Sequence, residues 1–270
     1  MSAVKTSALE TYAAQLKAWR KKRGWSQGDL ANQIVYSDSL VSGIETMMRT
    51  PTLDFAKRCD EVFDAPETFV SLHGLVSREA WPAYFTPVID FEKQAVRIHE
   101  WEARVVPGLL QTQDYARSVL SAGDPQITEV ELDRKMNSRL DRQRILERDK
   151  PPMYWTVVSE GALRQVIGSR TIMGAQLDKI IEADRSASIV IQILPFATHD
   201  HPGTDGPIQI FDLPDSTSSS YMECNGGGMI TEDPEAVAGQ MTRLNMIRVA
   251  ALPPRESLAL LQQIRSEIGI

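Results

Sequence analysis

The sequence predicts an all-α head followed by a larger mixed α+β body. Two patterns and one break carry that reading. As far as Leu72, apolar residues recur three and four positions apart behind serine and threonine caps, which is the period of helices. Beyond Glu92, short β-branched runs are interspersed with helical stretches in no strict alternation, which points to α+β. Between them stands an aromatic, proline-marked stretch, Trp81 to Phe91, whereas a flexible linker would be polar. The expected domains are therefore a head at 1–80, a packed joint at 81–91 and a body at 92–270.

Leu9, Tyr12, Leu16 and Trp19 form one face of a first helix. It ends in Lys17, Arg20, Lys21, Lys22 and Arg23, and Gly24 can terminate it in a left-handed conformation. Ser26 and Ser37 are placed as N-caps of two short helices, because a serine oxygen can accept an otherwise unpaired first-turn N–H. Leu30 and Ile34 share a face of the first, and Val41 and Ile44 share a face of the second, so both pairs can point into one small core. Two short capped helices with a few polar residues between them suit a helix-turn-helix, whose second helix enters the DNA major groove. Thr52 caps the next helix, with Ala56, Cys59 and Phe63 on its inner face. A further helix from near Pro66 closes the core with Phe69, Val70 and Leu72.

Leu16-x-x-x-Arg20-x-x-x-Gly24, Ser26-Gln27-x-x-Leu30-Ala31, Ser37-x-x-x-Val41-Ser42-x-Ile44-Glu45 and Pro51 stand at fixed offsets. In these the head resembles the Cro/lambda-repressor (XRE) type of DNA-binding domain. The resemblance implies an ion pair between Arg20 and Glu45, tying the first helix to the recognition helix. It implies a phosphate contact from Gln27, at a helix N-terminus whose free N–H groups suit anions. It also puts Asp38, Ser39 and Gly43 at base edges, with Ser42 on the same stripe and Ser37 at its start. Arg49, near the far end of the motif, is a candidate for the DNA backbone. The chain departs from the pattern in its reading residues. Asp38 can accept from a cytosine amine but repels phosphate, Ser39 is promiscuous and Gly43 has no side chain. Val35 and Met47 stand where glycine is usual. Regulators of this type imply a homodimer on double-stranded DNA, with half-sites roughly 34 Å apart.

Composition sets the frame for that reading. At 270 residues, with 42% hydrophobic and 24% charged residues, the chain has the make-up of a soluble globular protein of one large or two modest domains. Cys59 and Cys224 are too few for a disulfide framework and suit a reducing cytoplasm. No stretch approaches the roughly 18 apolar residues of a membrane span, and the start of the chain has no apolar run of signal-peptide length. A cytoplasmic protein with no membrane partner is expected. The net charge of −7 divides unevenly: residues 1–60 carry nine Lys/Arg against six Asp/Glu, and the rest 20 against 30. A basic head on an acidic body keeps phosphate-attracting charge local.

In the body, Val96, Ile98 and Val105 read as a strand, although Ala95 to Trp101 also fits a helix. Thr112 caps a helix to about Ala122. Thr128-x-x-Glu131 is a capping box opening a longer one. The tail of that helix, Arg139 to Ile145, reads as a solvated, salt-bridged face, with a nucleic-acid surface as the alternative. Tyr154–Val158, Ile189–Leu194, Ile208–Phe211, Tyr221–Cys224 and Met229–Thr231 read as strands. Ser169, Asp233-Pro234 and Pro254 each start a helix. Val106-Pro107-Gly108-Leu109-Leu110-Gln111-Thr112 with Tyr115-Ala116-Arg117, then Arg139-x-x-Arg142-Gln143, Glu160-x-x-Leu163-Arg164 and Leu194-Pro195-Phe196 resemble the C-terminal domain of actinobacterial regulators of the WhiJ type. That resemblance implies an antitoxin-like regulator whose body receives a signal from a small protein encoded by an adjacent gene and mediates dimerisation.

No constellation asks for an enzyme, a cofactor or a metal. His199-Asp200-His201 with Asp205 has metal-like spacing, but Pro202, Gly203 and Gly206 make it a loop. Gly226-Gly227-Gly228 lacks the lysine and the strand-to-helix setting of a phosphate loop and reads as a hairpin turn. Glu160 reads as part of a helix start rather than as a general base. The expectation is a sequence-specific DNA-binding transcriptional regulator. The alternatives are an antitoxin-like interaction module that has lost DNA binding and a regulator that responds to a small molecule.

Overall fold

The structure is a computed structural model and describes residues 7–224 and 227–269. Its elements, in chain order, are α1 (Ala8–Lys22), α2 (Gln27–Ile34), α3 (Asp38–Glu45), α4 (Leu53–Phe63), α5 (Thr68–Glu79), α6 (Thr86–Gln94), β1 (Arg97–Glu102), α7 (Gln113–Gly123) and α8 (Glu129–Gln143). There follow β2 (Met153–Ser159), α9 (Glu160–Arg164), α10 (Arg170–Ala183), β3 (Ile189–Leu194), β4 (Ile208–Asp212), β5 (Ser218–Cys224), β6 (Gly227–Thr231), α11 (Pro234–Ala250) and α12 (Pro254–Ile268). The head is helical and the remainder is mixed, as the hydrophobic periods predict.

Two compact units divide the chain. The first holds Met1–Pro82 together with Asp124–Asp141, and the second holds Ala83–Gly123 with Arg142–Ile270. The division falls differently from the expected boundary, because most of α8 belongs with the head. Val130 of α8 packs on the core formed by Tyr12, Leu16, Leu30, Ile34, Val41, Ile44, Phe55, Phe63 and Phe69. Ser138 donates to the Ser77 carbonyl at 2.8 Å and accepts from Trp81 Nε1 at 2.5 Å. No period within the α8 sequence reports which partner it will find. The joint residues do not form one segment either. Trp81 joins the first unit, and Phe85 and Phe91 pack on the sheet of the second, 5.5 Å from Tyr221 and 6.0 Å from Phe211 between ring centroids.

The second unit is built on one six-stranded sheet of order β3-β2-β1-β4-β5-β6. β1, β2 and β3 run parallel, and β4, β5 and β6 are added antiparallel. The stretch that fitted either a strand or a helix is β1. Alternation assigns Trp101 of β1, Val157 of β2 and Ile208 and Ile210 of β4 to one face, where Leu244 and Ile247 of α11 complete an apolar core. The other face carries Ile98, Tyr154 and Phe211, but also polar side chains that are equally buried. Helix starts follow the predicted caps: Ser169 accepts from Ile172 N–H at 3.2 Å and Asp233 from Ala236 N–H at 3.0 Å.

The basic tail of α8 is not one solvated face. Arg142 is buried and holds Glu92 through two hydrogen bonds of 2.6 and 2.8 Å, with its guanidinium 4.7 Å from the centre of the Phe85 ring. Arg139 lies over Trp81 within the first unit. Charge runs on a helix are read as solvated because burial is costly, and a carboxylate matched through two hydrogen bonds offsets part of that cost. Among the described residues no helix is long and apolar enough to cross a membrane.

Candidate nucleic-acid interface

Ser26 and Asp29 cap α2 reciprocally, each accepting from the other's backbone N–H at 3.1 and 2.8 Å. α2 ends at Val35, which is left-handed with φ 58°. The chain then reaches Ser37, whose hydroxyl accepts from Leu40 N–H at 3.3 Å and starts α3. Ser39 Oγ lies 3.1 Å from Ser37 Oγ, and Asp38 accepts from Ser39 N–H at 2.8 Å. Ser37, Asp38 and Ser39 are exposed and form a hydrogen-bonded group at the N-terminus of α3. Val41 and Ile44 on the opposite side of α3 are buried in the core.

One turn further on, Ser42 and Gly43 are partly buried. The cause at Gly43 is Arg49, whose stem lies across it: a Cβ at Gly43 would sit 2.8 Å from Arg49 Cγ. Glycine permits that close approach. Met47, at φ 62°, turns the chain between them. Arg49 then reaches Asp133 of α8 at 3.0 Å, and Asn137 of α8 donates to Thr50 at 2.9 Å. Asp133 and Asn137 therefore brace the segment behind α3, and sequence reasoning missed both. Their one local signal was the capping box that starts α8, confirmed as Thr128 Oγ1 accepting from Glu131 N–H at 3.3 Å. That signal says nothing about what the helix packs on.

Arg20 Nε and Nη2 donate to the two oxygens of Glu45 at 2.6 and 2.8 Å, and Nη1 donates to the Trp25 carbonyl at 2.7 Å. Gln27 Nε2 donates to Glu45 at 2.8 Å. Helices α1, α2 and α3 thus meet on one carboxylate. Burial pushes the Glu45 carboxyl up, but the hydrogen bonds from Arg20 and Gln27 and the charge of Arg20 outweigh it, and its pKa lies below the ordinary value. The Gln27 side chain, expected at a phosphate, is engaged within the domain. Arg58 is engaged too, with Asp54 at 2.8 Å and the Ile34 carbonyl at 3.1 Å.

Residues 16–70 match a helix-turn-helix family, HTH_3, and the head is an XRE-type helix-turn-helix domain. Residues 85–263 match the Domain of unknown function DUF5753, over the larger part of the chain. The chain belongs to the DUF5753 family. In this DUF5753 protein the match begins beside α6 and runs into α12, and the sheet lies inside it. No curated protein and no solved structure matches the chain.

The other predicted chemistry is accounted for locally. His201 Nδ1 accepts from Gly203 N–H at 3.1 Å, and Asp205 pairs with Arg243 at 2.7 Å. Among the described residues no three His, Cys, Asp or Glu side chains are grouped to hold a metal ion. Glu160 opens α9 and holds Arg164 at 2.6 Å and Phe196 N–H at 2.8 Å. Gly226 lies outside the described residues, while Gly227 and Gly228 belong to β6.

Proposed function

We propose that the protein is a sequence-specific, cytoplasmic transcriptional regulator that docks α3 in the major groove of its operator. The observation that carries this is the exposed Ser37–Ser39 group at the start of a helix whose other side is fixed to α1 and α2 through Glu45. Ser39, Asp38 and Ser42 read base edges, Gly43 makes room for the Arg49 stem beside them, and Ser37 lies towards the phosphates, as does Gln27 once its side chain leaves Glu45. Arg49 contacts the backbone after leaving Asp133. The protein acts as a homodimer without catalytic chemistry.

The second unit receives the signal. The WhiJ-type, antitoxin-like resemblance supports a small protein from an adjacent gene as its source. Exposed Met246 and Val249, three apart on α11, support a protein-facing surface there.

Titration of the full chain against duplex DNA from the flanks of its own gene tests the DNA reading. Binding should weaken by orders of magnitude between about 50 and 200 mM salt, as counterion release requires. A Ser39→Ala, Arg49→Ala double variant with an unchanged circular dichroism spectrum should lose it. Failure to bind any duplex at low salt would sink the proposal.

A further inference from the structure

The sheet of the second unit has β3 at one edge and β6 at the other, and the two edges differ. The β3 edge is covered. Ile193 N–H donates to Ser257 Oγ at 2.9 Å, and the Ile193 carbonyl accepts from Leu252 N–H at 2.9 Å. Among the described residues no backbone group pairs with β6 from its outer side. Natural sheets guard such an edge with lysine, proline, a bulge or a covering segment, because unpaired N–H and C=O groups recruit another strand. β6 reads Gly227-Gly228-Met229-Ile230-Thr231, with neither charge nor proline, and it pairs with β5 residue for residue.

The side chains that run out to this edge are apolar. Val157, Trp101, Ile208, Met222 and Met229 are successive cross-strand partners on β2, β1, β4, β5 and β6. Val157, Trp101 and Ile208 belong to the core under α11. From that core the row passes through half-buried Met222 and stops at Met229, which is 59% exposed. The row beside it, on the other face, ends in Ile230, the partner of Tyr221. Beyond residue 60 the chain carries 30 Asp/Glu against 20 Lys/Arg, so two copies repel as wholes. An uncharged strand is a place where they meet without that cost.

We propose that β6 pairs antiparallel with β6 of a second copy, about a two-fold axis through Met229, and that this edge is the dimer interface. The strand is self-complementary about that residue. Ile230 faces the partner's Gly228 and Thr231 faces the partner's Gly227, so each of these side chains meets a glycine. Met229 faces the partner's Met229 and carries the apolar row from one sheet into the next. The Tyr221 ring lies across Gly228, where a Cβ would collide with it, so the incoming isoleucine packs beside an aromatic ring. A contact of this kind uses the same patch on both subunits and closes at two. The inference names the interface of the homodimer proposed above; it rests on that part of the reading and not on DNA binding.

Sedimentation velocity on the full chain without DNA tests it. The wild-type chain should sediment as a dimer that dissociates on dilution. Met229→Lys sets like charges against each other on the axis and should weaken the dimer at least tenfold, as should Met229→Glu. Mixing the two variants should restore it, because opposite charges then face each other. Both substitutions replace an exposed side chain, so circular dichroism should not change. In a Cys224→Ser chain, Met229→Cys should form an intermolecular disulfide under mild oxidation, and Cys224→Ser alone should not. Antiparallel partners stand about 4.5–5.5 Å apart between Cα atoms, within disulfide reach. A dimer indifferent to Met229→Lys, no rescue on mixing, or no disulfide at 229 overturns the proposal. A chain that stays monomeric at every concentration also overturns it and leaves the edge to a strand of another protein. A dimer held through Met229 that binds no duplex refutes the DNA reading alone, and duplex binding by a chain that never dimerises refutes this inference alone.

Discussion

Arg20 and Glu45 stand 25 residues apart and are joined through both carboxylate oxygens, with side-chain exposures of 9% and 3%. The pair fixes where the reading helix points, because Glu45 is the last residue of α3 and Arg20 belongs to α1. Removing one partner leaves the other charge buried and unmatched, at a cost of about 3–5 kcal/mol. Arg20→Met should therefore speed hydrogen exchange throughout α1 and α3. Glu45 has a lowered pKa, so its contribution is complete above the unfolded value of about 4.5 and disappears as pH falls through the folded value below it. An exchange profile unchanged by Arg20→Met would contradict this account.

Val35 holds φ 58° with a β-branched side chain that is 76% exposed. The left-handed conformation costs an L-residue about 1–2 kcal/mol, and the exposed side chain returns little packing. Val35→Gly should stabilise the head by about 1 kcal/mol, offset in part by the entropy of the unfolded glycine. A shift of the denaturant midpoint to higher concentration at constant m-value checks it. A lower midpoint would show that packing of Val35 outweighs its strain.

Arg49 is 61% exposed at its side chain and reaches Asp133, which is 12% exposed. A pair this open contributes about 0–1 kcal/mol to stability. Its larger consequence is for DNA, because a carboxylate beside a phosphate contact competes for the same guanidinium. Asp133→Asn should strengthen duplex binding several-fold and leave the slope of the salt dependence nearly unchanged, because Arg49 neutralises its phosphate in both proteins. Fluorescence anisotropy across a salt series measures both, and weaker binding would count against Arg49 as a phosphate ligand.

Glu100 is buried at a pKa of about 7, against an ordinary 4.5. A carboxyl raised on folding binds protons more tightly in the folded state, so stability falls as pH rises from about 4.5 to 7 and levels off above. The fall amounts to about 3 kcal/mol at most. Unfolding of the second unit at pH 5 and pH 8 should show that slope, and Glu100→Gln should flatten it. A wild-type profile without the slope would mean that water or a neighbouring group already satisfies the charge.

The helix starts were legible because a cap is a contact between neighbours. Ser26, Ser37, Thr52, Thr128, Ser169 and Asp233 each accept from an N–H three residues ahead. The strands were legible from β-branched runs, and Ile189–Leu194 begins and ends where its composition changes. The residues on the exposed side of α3 were legible through their spacing, but the engagement of Gln27 by Glu45 and of Arg49 by Asp133 was not. Those partners lie 18 and 84 residues away.

By itself the sequence determined a helical head with a helix-turn-helix and most of the elements that follow, but it left β1 open between strand and helix and read the first part of α6 as a joint. Each element it determined depends on interactions within one or two turns of chain. Only the tertiary structure decided that α8 braces the head, that Arg142 and Glu92 match each other in the interior, and that Glu100 is buried on the sheet against Tyr154 and Gln209. Such pairings bring together residues far apart in sequence, and their energies come from desolvation and packing that no local pattern encodes.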